Sequence, residues 1–475
     1  MRYPHYQPPP LTRRQMLKTC GCGFGGLALS SLLQRDVLAA TSTNPLAPRV
    51  PHFAPKAKRI IFLHMHGGPS QHDLFEYKPL LIRDDNKPLP FAKPRVQFAE
   101  TGNLFKSPWE FRQHGQSGAW VSELLPNIAS VVDDLCFIRS MWGTNAAHGG
   151  AILAMNTGSD RFVRPSMGSW IAYGLGTENE NLPGFITICP SYQHGGVQNY
   201  SSAFLPAAYN GTAIGTTRMK TEDATIDFLD NESVSPEVQR SELDLLQRWQ
   251  RRQLEATGPD QALEGRIESF ELAFRMQTEA PELMSIEGES EATRRLYGLD
   301  DPVARNFGLR CLLARRFSES GVRFVQATHG PDTKWDHHSG LITGLPQSCA
   351  EVDKGVAGLI KDLKSRGLLD ETLVLWGGEF GRTPGAEAGA RNGRDHNPHG
   401  YTMFMAGGGV KPGHSHGRTD DYGYYAIEDK VHIHDLHATI LHLLGLDHER
   451  LTYRAQGRDF RLTDVEGIVV DDIIV

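Results

Sequence analysis

The stretch richest in reactive side chains runs Trp376-Gly-Gly-Glu-Phe-Gly-Arg-Thr-Pro384, followed by Gly393-Arg-Asp-His-Asn-Pro-His-Gly400. It sets a carboxylate, Glu379, straight after an apolar run, and then an Asp395-His396 pair with His399 close behind. Upstream stands Trp335-Asp-His-His338, and 12 of the 20 histidines fall between His329 and His448. Imidazoles and carboxylates gathered this way suit a divalent ion of the zinc or manganese kind, or acid–base chemistry. Any one of these histidines taken alone reads as a surface residue. The set reads as a site.

Such a site needs a scaffold that brings distant segments together. The first strong strand spans residues 59–66, an apolar run that stops at Gly67-Gly-Pro69, as a buried parallel strand would. A helix over 123–133 then leads to a strand over 136–140, and a helix over 302–318 to a strand over 322–328. A helix over 346–364 precedes strands 372–376 and 401–406, and a last helix, 435–444, stops at Gly445. Strands alternating with helices predict an α/β fold with a largely parallel sheet, which carries its sites at the carboxyl ends of the strands. The candidates sit at those ends: residues 64–73, 329–338 and Glu379. The charged stretch 233–290, with Leu243, Leu246, Trp249 and Ile267, Phe270, Phe274 at helical spacing, reads as a helical hairpin or lid inserted in that core.

A formal net charge of −7 and the absence of any long basic run argue against nucleic acid as a partner. The N-terminus reads Leu11-Thr-Arg-Arg-Gln-Met-Leu-Lys18, then a small and apolar run over 20–33, then Val37-Leu-Ala-Ala40. This predicts a twin-arginine signal over 1–40, cleaved after Ala39 or Ala40, and a Pro-rich linker over 41–57. The apolar run is too short to span a bilayer, so no transmembrane segment is expected in the mature chain. The expected compartment is the periplasm or beyond, with the twin-arginine translocation machinery as an export partner. That route carries folded, often metal-loaded proteins. The four cysteines left after cleavage (Cys136, Cys189, Cys311, Cys349) follow no zinc pattern; an oxidising periplasm would allow one disulfide, but buried free thiols are the expectation.

Gly67-Gly-Pro-Ser-Gln-His-Asp73, Tyr77-Lys-Pro79, Trp335-Asp-His-His338, Gly378-Glu-Phe-Gly-Arg-Thr-Pro384, Gly393-Arg-Asp-His396 and Asp435-Leu-His-Ala-Thr439 together resemble the DUF1501 family. That family is placed with the alkaline phosphatase and sulfatase superfamily, and the similarity runs from about 58 to 446. It implies an α/β, alkaline-phosphatase-like three-layer sandwich over 58–450, a helical insertion at about 233–300, and a C-terminal extension over 451–475. It also implies one or two divalent cations (Zn, Mn, Ca or Mg) that activate a nucleophile and stabilise the oxyanions of a phosphate or sulfate ester.

Carried onto this chain, the resemblance makes Ser70 the nucleophile, unless a water activated by the metal acts instead. Asp73, Asp336, His338, Glu379, Asp395 and His396 become metal ligands. Arg382 becomes an oxyanion clamp, with a salt bridge to Glu379 as its plain alternative. Where the superfamily has an acid at the first strand end this chain has His66-Gly67, and Phe380 stands where a histidine often follows the carboxylate. His148, His399 and His437 are second-rank candidates; His432, His434 and His442 read as structural, and His414 and His416 as exposed loop residues. Neither a formylglycine motif, a P-loop, a dinucleotide fingerprint nor a G-x-S-x-G elbow is present. The expectation is an exported metal-dependent hydrolase of a phosphate or sulfate ester, such as one on a small molecule or polysaccharide. The competing expectation is a non-catalytic envelope or polysaccharide-binding protein that keeps the fold with a degraded metal site.

Overall fold

Ile-Ile-Phe-Leu-His-Met, the run after Arg59, shows no alternation between apolar and polar residues, so neither face of the strand it forms can meet water. In the computed structural model, which describes residues 45–92, 100–227, 229, 233–258, 260–387 and 391–475, every residue of that run is buried. The signal expected over 1–40 lies outside the described residues, and so does the start of the linker.

In chain order the central sheet contains β1 (Arg59–Met65), β2 (Leu135–Trp142), β3 (Phe185–Ile188), β4 (Thr212–Ile214), β5 (Phe324–His329), β6 (Thr372–Gly377), β7 (Tyr401–Ala406), β8 (His414–His416) and β9 (Val431–His432). The order across it is β8-β2-β7-β6-β1-β5-β3-β4, with β9 also paired to β2. All strands run parallel except β7, which is antiparallel to both β6 and β2. The register sets His64 opposite Gly377 and Met65 opposite His329, so β1, β5 and β6 end level. Three loops therefore leave the sheet side by side. β1, β5, β6 and β7 are buried along nearly their whole length, which requires cover on both faces and makes the fold a three-layer α/β arrangement.

The cover includes α1 (His148–Thr157), α2 (Met167–Leu175), α3 (Pro236–Thr257), α4 (Gln261–Met284), α5 (Arg305–Glu319), α6 (Leu341–Ser365) and α7 (Ile433–Leu443). In the charged middle stretch, α3 is tied to α4 through Arg240 and Glu271 at 2.9 Å. Leu272, Met276 and Ala280 of α4 join the main core, whereas Leu246, Trp249 and Phe270 stay exposed, so their helical spacing marks no core face.

Several boundaries differ from the sequence reading, each for a tertiary reason. The helix expected over 123–133 is reduced to Pro126–Ala129 and a turn at Val132–Asp134. Its first amides, of Asn127 and Ile128, donate to the Asp353 carboxylate on α6. α6 begins at Leu341 rather than 346 because Asn392, fifty residues away, accepts the Leu341 and Ile342 amides. His414 and His416 are not loop residues: β8 pairs with Cys136–Ile138, and His416 is buried. The four cysteines are buried free thiols.

α6 also fixes the loop after β5. Its Glu351 accepts from His329 at 2.9 Å and from Lys334 at 3.1 Å, bracketing the turn that leads to Trp335 and Asp336. Burial alone would raise this carboxyl; the contacts with His329, Gln347 and Lys334 outweigh it and bring it from 4.5 down to about 2. A depressed folded value means stability that is full above the unfolded value and lost as pH falls toward the folded one. Urea unfolding of Glu351→Gln between about pH 5 and pH 2.5 should therefore show a flatter loss of stability than the parent chain. Equal slopes would contradict this role.

Candidate metal centre

The three level loops are held together by a single buried side chain. Arg382 lies in a short antiparallel pair in which Gly381 faces Asn397 and Arg382 faces His396. Its Nε donates to the Gly68 carbonyl at 2.9 Å and its Nη1 to the Arg394 carbonyl at 3.2 Å. Its Nη2 donates to the Gly67 carbonyl and lies 2.8 Å from Asp336 Oδ1. Gly67 must be glycine here: its φ is +121°, and a Cβ would come within 2.7 Å of the Trp335 amide nitrogen.

Around Asp336 three imidazoles converge. His338 Nε2 lies 3.0 Å and His396 Nε2 3.1 Å from Oδ1, and His148 Nε2 lies 3.1 Å from Oδ2. Each ring is oriented by an acceptor at its other nitrogen. His148 Nδ1 donates to Glu379 at 2.6 Å, His338 Nδ1 to Glu387 at 2.7 Å, and His396 Nδ1 to the Ala146 carbonyl at 2.6 Å. That assigns the protons to Nδ1 and turns all three Nε2 lone pairs inward, the arrangement metal-binding histidines adopt. Two of them, on His338 and His396, are 3.0 Å apart, and His148 Nε2 is buried with no aligned hydrogen-bond partner. The separations approach the edge of a tetrahedron of zinc–nitrogen bonds, about 3.3 Å. By mutual distance His148, Asp336 and His396 form one candidate ligand set and His338, Asp395 and His396 an overlapping one, and either fits a divalent cation.

Without a cation the carboxylates favour the protonated form of two of these rings, His148 and His338, and a cation would take the place of that proton. Asp336 is partly buried, which would raise its carboxyl, but His148, His338, His396 and Arg382 hold it far below the usual carboxylate range. Burial would lower His148, yet Asp336 and Glu379 raise it; His338 is raised chiefly by Asp336. His396 is depressed to about 4 by burial, with Arg382 adding to the effect. Beneath the centre Glu379 is buried and accepts the Gly67 amide with both oxygens, at 3.1 and 3.2 Å. Burial would raise this carboxyl too, and the neighbouring histidines, His148 foremost, bring it below its ordinary value.

A second polar pocket adjoins. His64 Nε2, both nitrogens of His66 and Asn199 Oδ1 are buried without hydrogen-bond partners, and all three residues line one cavity of about 10 Å³, room for one water. His194 closes the gap between the two pockets, its ring 5.5 Å from His66 and 5.3 Å from His148. Burial depresses His66 to about 3.

The structure thus gathers Asp336, His338, Asp395 and His396, and adds His148 as an equal member. Glu379 stands behind them on His148 rather than among them. Asp395 is buried, accepts the His396 amide, and lies 4.0 Å from the outer nitrogen of His338. Asp73 and Ser70 go elsewhere: Asp73 forms a fully buried ion pair with Arg394 at 2.8 Å, and Ser70 Oγ donates to Asp73 at 2.5 Å. Arg382 pairs with neither Glu379 nor open space; every guanidinium nitrogen already has a protein acceptor, so the clamp reading gives way to a positioning one. His399 rings against Tyr424 and Tyr425, and His437 contacts the Met155 carbonyl. Phe380 packs beside His148 and His396, walling the site. Sequence reasoning passed over Glu387 and His194, and passed over His64 and His66 as a pair. For the last two a signal existed, since residues two apart on a strand share one face.

No curated protein matches the chain. Among similar solved structures are the lipoteichoic acid synthase LtaP from Listeria monocytogenes, 11% identical over 88% of this chain and 78% of that one, with a TM-score of 0.36. The PsFucS1 sulfatase from Pseudoalteromonas sp. is 12% identical over 83% and 69%, with a TM-score of 0.35. A protein in the alkaline phosphatase superfamily from Vibrio parahaemolyticus is 10% identical over 85% and 70%, with a TM-score of 0.33. A family model described as "Protein of unknown function (DUF1501)" matches residues 57–474, nearly the whole described length. The chain belongs to the DUF1501 family.

Proposed function

We propose that this chain is an exported, metal-dependent hydrolase of phosphate or sulfate esters. The observation that supports it most is the convergence of three inward Nε2 atoms on the Asp336 carboxylate. His148, His338, His396 and Asp336 would hold the cation. A nitrogen-rich set favours zinc, or a manganese-like ion, over the all-oxygen shells of calcium and magnesium. Such a cation supplies Lewis-acid polarisation and neutralises the charge of an anionic ester.

The chain's own residues do the rest. Glu379 fixes the His148 ring and its tautomer; Glu387 and the Ala146 carbonyl do the same for His338 and His396. Arg382 cancels part of the Asp336 charge and locks the loops, so the centre is set before substrate arrives. His338 and Asp336 keep part of their side chains open to solvent, which gives an ester one side of approach, whereas His148 and His396 close the other. His194, beside His148, is the residue best placed to exchange a proton there, as burial holds its imidazole below the ordinary value and largely neutral. With Ser70 bound to buried Asp73, the nucleophile this geometry favours is water rather than that hydroxyl. The Arg13-Arg14 pair and the weakly apolar run after it support export by the twin-arginine route. Among the described residues no helix is long and apolar enough to cross a membrane.

Metal analysis of the purified folded chain should find at least one tightly bound divalent ion at this centre, lost in Asp336→Ala and His148→Ala. Aryl phosphate or aryl sulfate hydrolysis should disappear with it. Metal without hydrolysis of either would leave a binding protein; no metal would end the hydrolase reading. Glu379→Ala, which removes only the acceptor behind His148, should weaken metal affinity by about 10–100-fold. Asp73→Ala should behave differently, lowering stability by about 3–5 kcal/mol through the stranded Arg394 charge while metal content holds. A fall in metal content there would return Asp73 to the ligand set.

A further inference from the structure

Away from Asp336, His432, His434 and Glu466 form the remaining group of metal-ligand side chains found among the described residues. They come from three places: the end of β9, the first turn of α7, and the C-terminal segment. That segment is pinned nearby by the Ile468 amide, which donates to Asp435 at 2.8 Å.

The hydrogen bonding of the rings decides where their lone pairs point. His434 Nε2 donates to the Gly158 carbonyl at 2.8 Å. This leaves its Nδ1 facing Glu466 Oε2 at 3.0 Å. His432 Nδ1 spends its one lone pair on the His434 amide, in a long cap bond of 3.3 Å, and lies 3.6 Å from the same carboxylate oxygen. The His434 Nδ1–Glu466 contact is a hydrogen bond, and a cation bound here would replace the proton it holds and draw His432 Nδ1 from its long cap bond. The histidine side chains are 16% and 15% exposed and Glu466 is 60% exposed, so water can reach the open side and complete a coordination shell.

We propose that His432 Nδ1, His434 Nδ1 and the Glu466 carboxylate form a second metal site, of the zinc type, separate from the Asp336 centre. Its ligands join the C-terminal segment to the start of α7, and His434 extends the joint to Gly158, where α1 ends. α1 carries His148 at its other end, about 15 Å away along ten residues of helix. The second site thus anchors the far end of the helix that presents a ligand to the first.

The test uses the full chain, zinc alone as the probe, and two variants, Glu466→Gln and His432→Ala. After equilibration with zinc and removal of the excess, the parent chain should carry one more zinc than either variant. Zinc should slow proteolysis within residues 463–475 several-fold in the parent chain and leave both variants unprotected. Asp336 and its partners are unaltered in all three proteins, so failure of that centre would lower every count equally and leave the difference of one. Glu466→Gln keeps the size and shape of the side chain, so a loss there is not a loss of folding. The same zinc count in all three proteins would overturn the proposal and reduce Glu466 and His434 to an ion pair.

Discussion

A fully buried guanidinium needs charge and hydrogen-bond partners for all of its donors, and Arg382 takes them from the segments that must meet. The Gly67 and Gly68 carbonyls come from the loop after β1, Asp336 from the loop after β5, and the Arg394 carbonyl from the strand return before β7. Lysine could not do this, because its compact ammonium cannot spread planar donors across such separated acceptors. The cluster of imidazoles follows from that arrangement. With Arg382 drawing on Oδ1, Asp336 is fixed in position, and His148, His338 and His396 close around it.

A second buried arginine supports the first from below. Arg394 pairs with Asp73, its backbone amide donates to the His337 carbonyl, and its carbonyl accepts from Arg382. Ser70 and Asp73, which look reactive in isolation, thereby become part of the floor. Glu379 carries the order outward: the Gly67 amide holds it and it holds His148. Glu379, Arg382 and Arg394 therefore act in series, one on a ligand ring, one on the central carboxylate, and one on the loop beneath.

Much of the scaffold was legible because burial on both faces leaves a plain mark. The runs at 59–65, 372–377 and 401–406 are apolar without alternation, and all three are strands of the central sheet. Shorter pieces left no such mark: β3, β4 and β8 have three or four residues each and owe their pairing to neighbours already in place. The start of α6 depended on Asn392, which no local window contains. At the site, residue type and position at strand ends picked out Asp336, His338, Glu379 and His396. Partner choice was not legible, because the arginines that meet Asp73 and Asp336 lie far away in sequence, and only the packed loops decide which arginine each meets. His148 was underweighted for a similar reason: it opens a helix after β2, on a segment that carries none of the other ligands.

The central claim, that His148, His338, His396 and Asp336 enclose one divalent ion, is tested most directly by anomalous scattering from crystals of the full folded chain measured at a transition-metal edge. The account predicts one strong anomalous peak bounded by the three Nε2 atoms and the Asp336 carboxylate. A map with no peak there, or with its metal bound at Asp73 instead, would contradict it.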